Sequence, residues 1–521
     1  MNTRIRLKIA AALLAGLAVI ASARPAAQER QAPPPEYKEL VAAYQIKDPA
    51  LRLEAYERIK AANPNTSYLE AIEAGIQDAK VALAETLDAV IALQRDFLAG
   101  AGGPDRLQKP MAMAVQLLNH PRLESFDHAR VLEIALAYRG QAIRAADEPA
   151  SYAGVPEAQR DLFKSYVLSA FDLLTARAYL NVGDTDKAMY SIDAYRKAGG
   201  ATGGNYYYVL AGVLESQGRV AEAAEAYLSA AVEDYMDARD KALRLHVHLH
   251  GSAEGFEAAL ESKMKALPFD PEPFKAPADW KGKTVLAELF TGSECPPCVG
   301  ADLAFDGLIA SIPSRYLAVL VYHLPIPRPD PMMNAAAVNR AGAYGVNSAP
   351  TVIIDGGGKS VGGGGRGAAE AKYGQYRGVI EPLLSADPAV RLKAGATLAG
   401  DTVDVVYELD RAVPGADYAL ALVQDEQEHK GSNGVAYHRM VVRDLKLVDP
   451  AAPGTASFDL AASERATDAY LTEFEKTYTR VPDFKWQVRR HEIPRRGLRM
   501  VFFAQDKASG RVLNAVVAEV K

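Results

Sequence analysis

From Tyr68 to Leu98 apolar residues recur at Leu69, Ile72, Ile76, Ala79, Val81, Leu83, Leu87, Val90, Leu93 and Leu98. That spacing is close to the 3.6-residue period of an amphipathic helix. The same Ala-, Leu- and Glu-rich pattern runs from residue 36 to residue 267 and predicts a helical domain there. It stops at the Pro-rich stretch PFDPEPFKAPADWKG, a predicted linker over 268–282. Beyond it, short apolar runs (TVLAELFTG at 284–292, YLAVLVYHL at 316–324, PTVIIDG at 350–356) alternate with helical segments at 298–311, around 334–345 and at 366–386. The order β-α-β-α-β-(β)-α predicts an α/β layer with a central sheet over 283–388. From Ala389 the period changes to two, with Val403, Val405, Tyr407 and Leu409 on one face. Several such runs, ending in a hairpin over 498–520, predict a β-sandwich domain over 389–521. The expected fold class is therefore multidomain α, α/β and β.

Two stretches of the helical part repeat. Gly183 and Gly218 stand 35 residues apart, each followed five residues later by Ala188 or Ala223, with Ile192 and Tyr227 four residues further on. Tyr207, Leu210, Ala211 and Leu214 precede the second glycine at helix-packing positions. This pattern resembles the tetratricopeptide repeat, which implies helical hairpins stacked into an array with a concave, partner-binding face. Ordinary stacked hairpins without a ligand carry the same pattern, because it is what packing alone requires.

Composition narrows the function. The 521 residues carry a net charge of −6, which gives no electrostatic basis for nucleic-acid binding. Arg4, Arg6 and Lys8 precede an apolar run from Ile9 to Ala21, and Ala21-Ser22-Ala23 is a small-x-small cleavage pattern. The expectation is a signal peptide over 1–23 and a flexible lead-in over 24–35. It implies a periplasmic or secreted protein with no stable membrane span after signal removal. Such a compartment permits disulfides.

The chain holds only two cysteines, Cys295 and Cys298 in SECPPCVG. Three readings compete: a redox pair, half of a metal site, or an inert staple. A structural zinc site asks for four Cys or His ligands, and only His323 is a near neighbour in the pattern. A staple closing so short a loop stabilises little. The redox reading has a physical basis. Cys295 falls between a strand and a helix, as the expected N-cap with Pro296 as the first helical residue. A helix N-terminus stabilises a thiolate, and three-residue spacing returns Cys298 to the same face. Pro296 and Pro297 lack N–H donors, and Glu294 opposes a negative sulfur. The expected thiolate is therefore weakly stabilised, which favours reducing or isomerising roles.

The stretch from Trp280 to about Ala386 resembles thioredoxin: strand, C-x-x-C, helix, and then SAPTVI. It is similar in particular to secreted thioredoxin-like proteins that share ELFT before the first cysteine and a YH ending the next strand, here Glu288 to Thr291 and Tyr322-His323. The resemblance implies Cys295 as nucleophile, Cys298 as resolving thiol and Pro350 as a substrate-docking cis-proline. Glu288 matches the buried acid that assists proton transfer to the resolving cysteine; the alternative is an ordinary strand-end carboxylate. Ala349, Thr351, Glu294, Pro296, Pro297 and His323 would line the substrate side. No cofactor is implied. The implied partners are exported proteins bearing thiols or disulfides and a redox partner. The rival expectation is a non-catalytic scaffold that keeps the fold for binding.

Four other constellations invite chemistry. His246, His248 and His250 look like a metal tripod, but the surroundings read as a helical hairpin whose histidines pack or cap. DGGGKSVGGGGRG (355–367) lacks the glycine that a phosphate loop needs, since Ile353 stands there; a glycine-rich turn between strands is expected. In YHLPIPRPDPMMN (322–334), His323 and Asp330 read as a proton relay, as weak metal ligands, or as part of a loop held by prolines. DEQEHKGSNGVAYHRMVVRD, with His429 and His438, reads as a charged hairpin loop.

Overall fold

The computed structural model describes residues 35–276, 280–450, 454–481 and 483–521. The expected signal peptide, the lead-in before Pro35 and residues 277–279 of the linker lie outside the described residues. The chain divides into two compact units between Leu260 and Glu261. No helix among the described residues is long and apolar enough to cross a membrane.

The first unit is a helical region built from antiparallel hairpins. Glu157–Asn181 pairs with Thr185–Lys197, and Gly204–Ser216 with Val220–Val232. Gly183 and Gly218 stand in the two turns. Asp184 caps the helix that follows it by accepting from the Lys187 N–H, which satisfies a donor the helix cannot pair internally. Ala176, Ala188, Ala211 and Ala223 are fully buried. Small side chains at these positions let neighbouring helices approach closely.

The second unit is organised by one eight-stranded sheet. Its order is Val512–Glu519 (β11), Leu498–Asp506 (β10), Ala416–Glu428 (β7), Tyr437–Val448 (β8), Leu317–His323 (β2), Val285–Thr291 (β1), Thr351–Ile354 (β3) and Lys359–Val361 (β4). β1 (Val285–Thr291) and β2 (Leu317–His323) are parallel and joined through the Val299–Ser311 helix. β3 (Thr351–Ile354) runs antiparallel to β1, and β4 (Lys359–Val361) antiparallel to β3. All seven residues of β1 and of β2 are buried, so these strands read as continuous apolar runs instead of alternating ones.

Residues 389–521 do not form a sandwich closed on itself. β8 (Tyr437–Val448) pairs parallel to β2 at Val321 and Val441, which carries the central sheet on into β7 (Ala416–Glu428), β10 (Leu498–Asp506) and β11 (Val512–Glu519). β7 and β10 are buried on both faces. Ala419, Ala421, Val423, Val501 and Phe503 join the core of the α/β layer. Tyr418, Leu420, Leu422, Met500 and Phe502 point the other way. There they meet a separate three-stranded sheet of β5 (Leu392–Ala399), β6 (Thr402–Leu409) and β9 (Gly454–Asp459). The period-two pattern at Val403, Val405 and Tyr407 thus marks a one-sided sheet, as expected. What it could not reveal is that its partner layer belongs to the central sheet. A further helix, Leu460–Thr477, follows β9 where the period-two reading anticipated only strands.

Candidate functional site

β1 ends at Thr291, and the chain turns so that the Cys295 N–H donates to the Gly292 carbonyl at 3.1 Å. Pro296–Cys298 form a single 3-10 turn, and the helix proper starts at Val299. The sequence expected a helix from Pro296 with Cys295 as its N-cap. The Cys298 N–H donates to the backbone carbonyl of Cys295, at 2.9 Å. Cys295 caps the turn with its backbone and makes no side-chain cap hydrogen bond. The two cysteines form a disulfide, and both are fully buried while Pro296 and Pro297 are exposed.

Three segments pack against the turn that carries the pair. The Ala349–Pro350 peptide bond is cis, and the Ala349 carbonyl lies 3.6 Å from the Cys295 Sγ. Thr351, buried beside it, donates its hydroxyl to the Ser348 carbonyl at 2.7 Å. The second half of the glycine-rich stretch lies against the cysteine turn. The Gly364 N–H donates to the Pro297 carbonyl and the Gly300 N–H to the Gly364 carbonyl, both at 2.8 Å. A Cβ on Gly363 would sit 2.5 Å from the Pro297 oxygen and 2.9 Å from Pro350 Cγ, so only glycine fits. The third segment is the tip of the β7–β8 hairpin, where the Ser432 N–H donates to the Glu294 carboxylate at 3.2 Å.

Glu288 serves another purpose than the one expected of it. Side chains alternate along a strand. Thr291 reaches the Val299–Ser311 helix, whereas Glu288 points to the opposite face and meets the Ala335–Ala343 helix. There Arg340 grips it through two hydrogen bonds of 2.8 and 2.9 Å, with the Tyr344 and Tyr322 hydroxyls donating at 2.6 and 3.1 Å. The fully buried carboxylate is thus satisfied as a structural ion pair away from the cysteines.

A different acid stands on the cysteine side. Asp302 lies one helical turn after Cys298 and accepts the Thr291 hydroxyl at 2.6 Å. Its second carboxyl oxygen is buried without a hydrogen-bond partner among the described residues. Burial pushes its pKa up to about 7, with the Thr291 hydrogen bond acting against that. Asp302 is therefore able to hold or release a proton near neutrality. The residue was invisible to motif reading, and Asp306 stands four residues further along the same helix.

His323 and Asp330 do come together, fully buried, with Nδ1 2.9 Å from the carboxylate. Burial alone would raise Asp330. The His323 charge and the N–H groups of Met332 and Ser293 outweigh it and hold the carboxyl well below its usual range. Through Ser293 this pair fixes the approach to Cys295. His323 Nε2 has no hydrogen-bond partner among the described residues. His438 stands edge-on to His323 at 4.9 Å between ring centroids, and its Nε2 lies 2.9 Å from the His429 carbonyl. Burial, then the His323 charge, push its pKa down to about 3.

Among the described residues no group of three or more His, Cys, Asp or Glu is arranged to hold a metal ion. His246, His248 and His250 all lie on the Ala238–His250 helix, where the His246 and His250 ring centroids are 4.5 Å apart with the planes tilted by 47°, and His246 Nε2 lies 2.9 Å from the Glu254 carbonyl. No family model, no curated protein and no solved structure matches this chain.

Proposed function

We propose that this chain is an exported thiol–disulfide oxidoreductase of the thioredoxin-like kind, acting on protein thiols or disulfides through Cys295 and Cys298. The observation that carries the reading is the disulfide itself, held between the end of β1 and the start of a helix with the Ala349 carbonyl 3.6 Å from one sulfur. The strand order β2-β1-β3-β4, with the first pair parallel and the rest antiparallel, supports it. In the reduced protein the Cys295 thiolate attacks a partner disulfide, and the partner's leaving sulfur takes a proton. Cys298 then attacks the mixed disulfide, which frees the second partner thiol and restores the internal bond. The helical unit, read as tetratricopeptide-like, would recruit the partner. The export reading rests on residues 1–23 and so on sequence alone.

The full burial of both sulfurs favours a second reading, a non-catalytic scaffold in which the pair is structural. Insulin reduction in dithiothreitol separates the two. An oxidoreductase accelerates precipitation and loses the effect in Cys295→Ser; equal onset for both proteins removes the enzymatic reading. A Cys298→Ser protein that accumulates mixed disulfides in extracts would identify the partner.

A further inference from the structure

The β7–β8 hairpin tip, residues 429–436, has no part in the chemistry above, yet it is bonded to the chain on both sides of the cysteine pair. The Asn433 N–H donates to the Ser293 carbonyl at 3.0 Å, and its side-chain amide donates to the Gly292 carbonyl at 3.2 Å. Ser432 takes up the Glu294 carboxylate through its N–H and accepts from Arg328 through its hydroxyl, at 3.2 and 2.6 Å. Gly431 lies so close that a Cβ there would fall 2.3 Å from the Ser293 oxygen. Beyond the tip, Val435 is buried against Val299 and Leu303, in the first turns of the helix that follows Cys298. The tip therefore holds residues 292 to 294 before the first cysteine and packs on the helix after the second.

Thiol–disulfide exchange needs an attacking thiolate to reach a sulfur along the S–S axis. Cys295 and Cys298 have 0% exposure, so no thiolate reaches either in the closed arrangement. Of the three segments around the pair, the cis-proline loop and the glycine loop are anchored within the α/β layer, by β3 and by the Gly300 N–H. The hairpin tip is held by three hydrogen bonds from Asn433 and the Ser432 N–H to residues 292–294, by the Arg328 bond to Ser432 and by the buried Val435. Each such bond replaces one to water and adds little net stability, so a tip held in this way opens locally without the fold coming apart.

We infer that the β7–β8 hairpin tip, through Gly431, Ser432 and Asn433, determines which thiols reach Cys295: it shuts out free thiols and must lift before exchange takes place. This rests on the thiol–disulfide reading of the pair but is tested on the protein's own disulfide, without any substrate. The oxidised full-length chain is treated with increasing dithiothreitol, and the fraction reduced is followed by alkylation and mass measurement. In the wild type the rate levels off with reductant concentration, because opening becomes limiting. Gly431→Ala forces the tip off Ser293 and raises the rate at low reductant at least tenfold; Asn433→Ala raises it in the same direction by less. A wild-type rate that stays linear in dithiothreitol overturns the inference, as does a rate equal to that of Gly431→Ala. Should Gly431→Ala fail to fold, the wild-type concentration dependence and Asn433→Ala decide alone. A gated chain inactive on insulin removes the enzymatic reading and leaves the gate standing. An active chain with linear reduction kinetics removes only the gate.

Discussion

The Thr291 hydroxyl donates to the Asp302 carboxylate at 2.6 Å, tying the last residue of β1 to the helix that begins after Cys298. The bond satisfies one carboxyl oxygen and leaves the other buried and unpartnered. The carboxyl is therefore easier to bury protonated than ionised.

That environment sets a pH dependence. The Asp302 pKa is raised to about 7 in the folded chain, above its ordinary unfolded value. Its contribution to stability is fully present below about pH 4 and is lost as pH rises through 7. That contribution amounts to roughly 4 kcal/mol at most. Asp302→Asn removes its own titration, while Asp306, which burial likewise pushes up to about 7, keeps titrating. Urea unfolding at pH 5 and pH 8 should show a smaller difference between the two pH values in the variant than in the wild type. Parallel losses in both proteins would contradict the assignment.

His438 acts with the opposite sign. Its folded pKa is lowered to about 3, so the buried ring stays neutral while the unfolded chain takes up a proton below about 6.5. The stability it supplies is present above pH 6.5 and lost as pH falls toward 3. His438→Gln should flatten the acid side of the profile between pH 6.5 and 4, measured by chemical denaturation. The depressed Asp330 loses stability in the same direction at still lower pH, below about 4, so the acid limb should persist there in the variant.

Glu288→Gln leaves the largely buried Arg340 guanidinium without its carboxylate. Breaking a buried pair from one side costs about 3–5 kcal/mol, and loss of this order is expected in the denaturation midpoint. The exchange rate of the cysteine pair should change little in the protein that remains folded. A variant of unchanged stability but slowed exchange would return Glu288 to the cysteines.

Gly363→Ala places a methyl group against the Pro297 carbonyl and Pro350. The glycine loop must shift away from the turn, at a cost of about 1–3 kcal/mol. Alkylation of the reduced cysteines should become faster than in the wild type. Unchanged stability with unchanged alkylation would show that the loop yields freely.

Local periodicity was legible wherever one face of an element is exposed or one segment is wholly apolar. β1, β2, the Val299–Ser311 helix and the one-sided β6 all fall within a few residues of their expected bounds. Long-range pairing was not legible. Nothing in RMVVRDLKLV says that Val441 will lie beside Val321, because a strand buried on both faces carries no mark of its neighbour. The same limit governed the site. Cys295, Cys298 and Pro350 stood out by residue type and order. Asp302 stood out only through the hydrogen bond and burial given to it by distant residues, and Asn433 only through its approach to Ser293. Glu288 matched a motif by position, yet strand alternation and the presence of Arg340 turned it to the other face.

The hairpin tip docked on Ser293 lies well over a hundred residues later in the chain, just before β8, the strand that must pair with β2. During synthesis or translocation the cysteines therefore emerge long before the tip. In that interval an oxidant meets the pair with no hairpin docked on Ser293. On the gate inferred above, the order of the chain gives the pair one oxidation that needs no opening, and every later change of its oxidation state waits on the tip to lift.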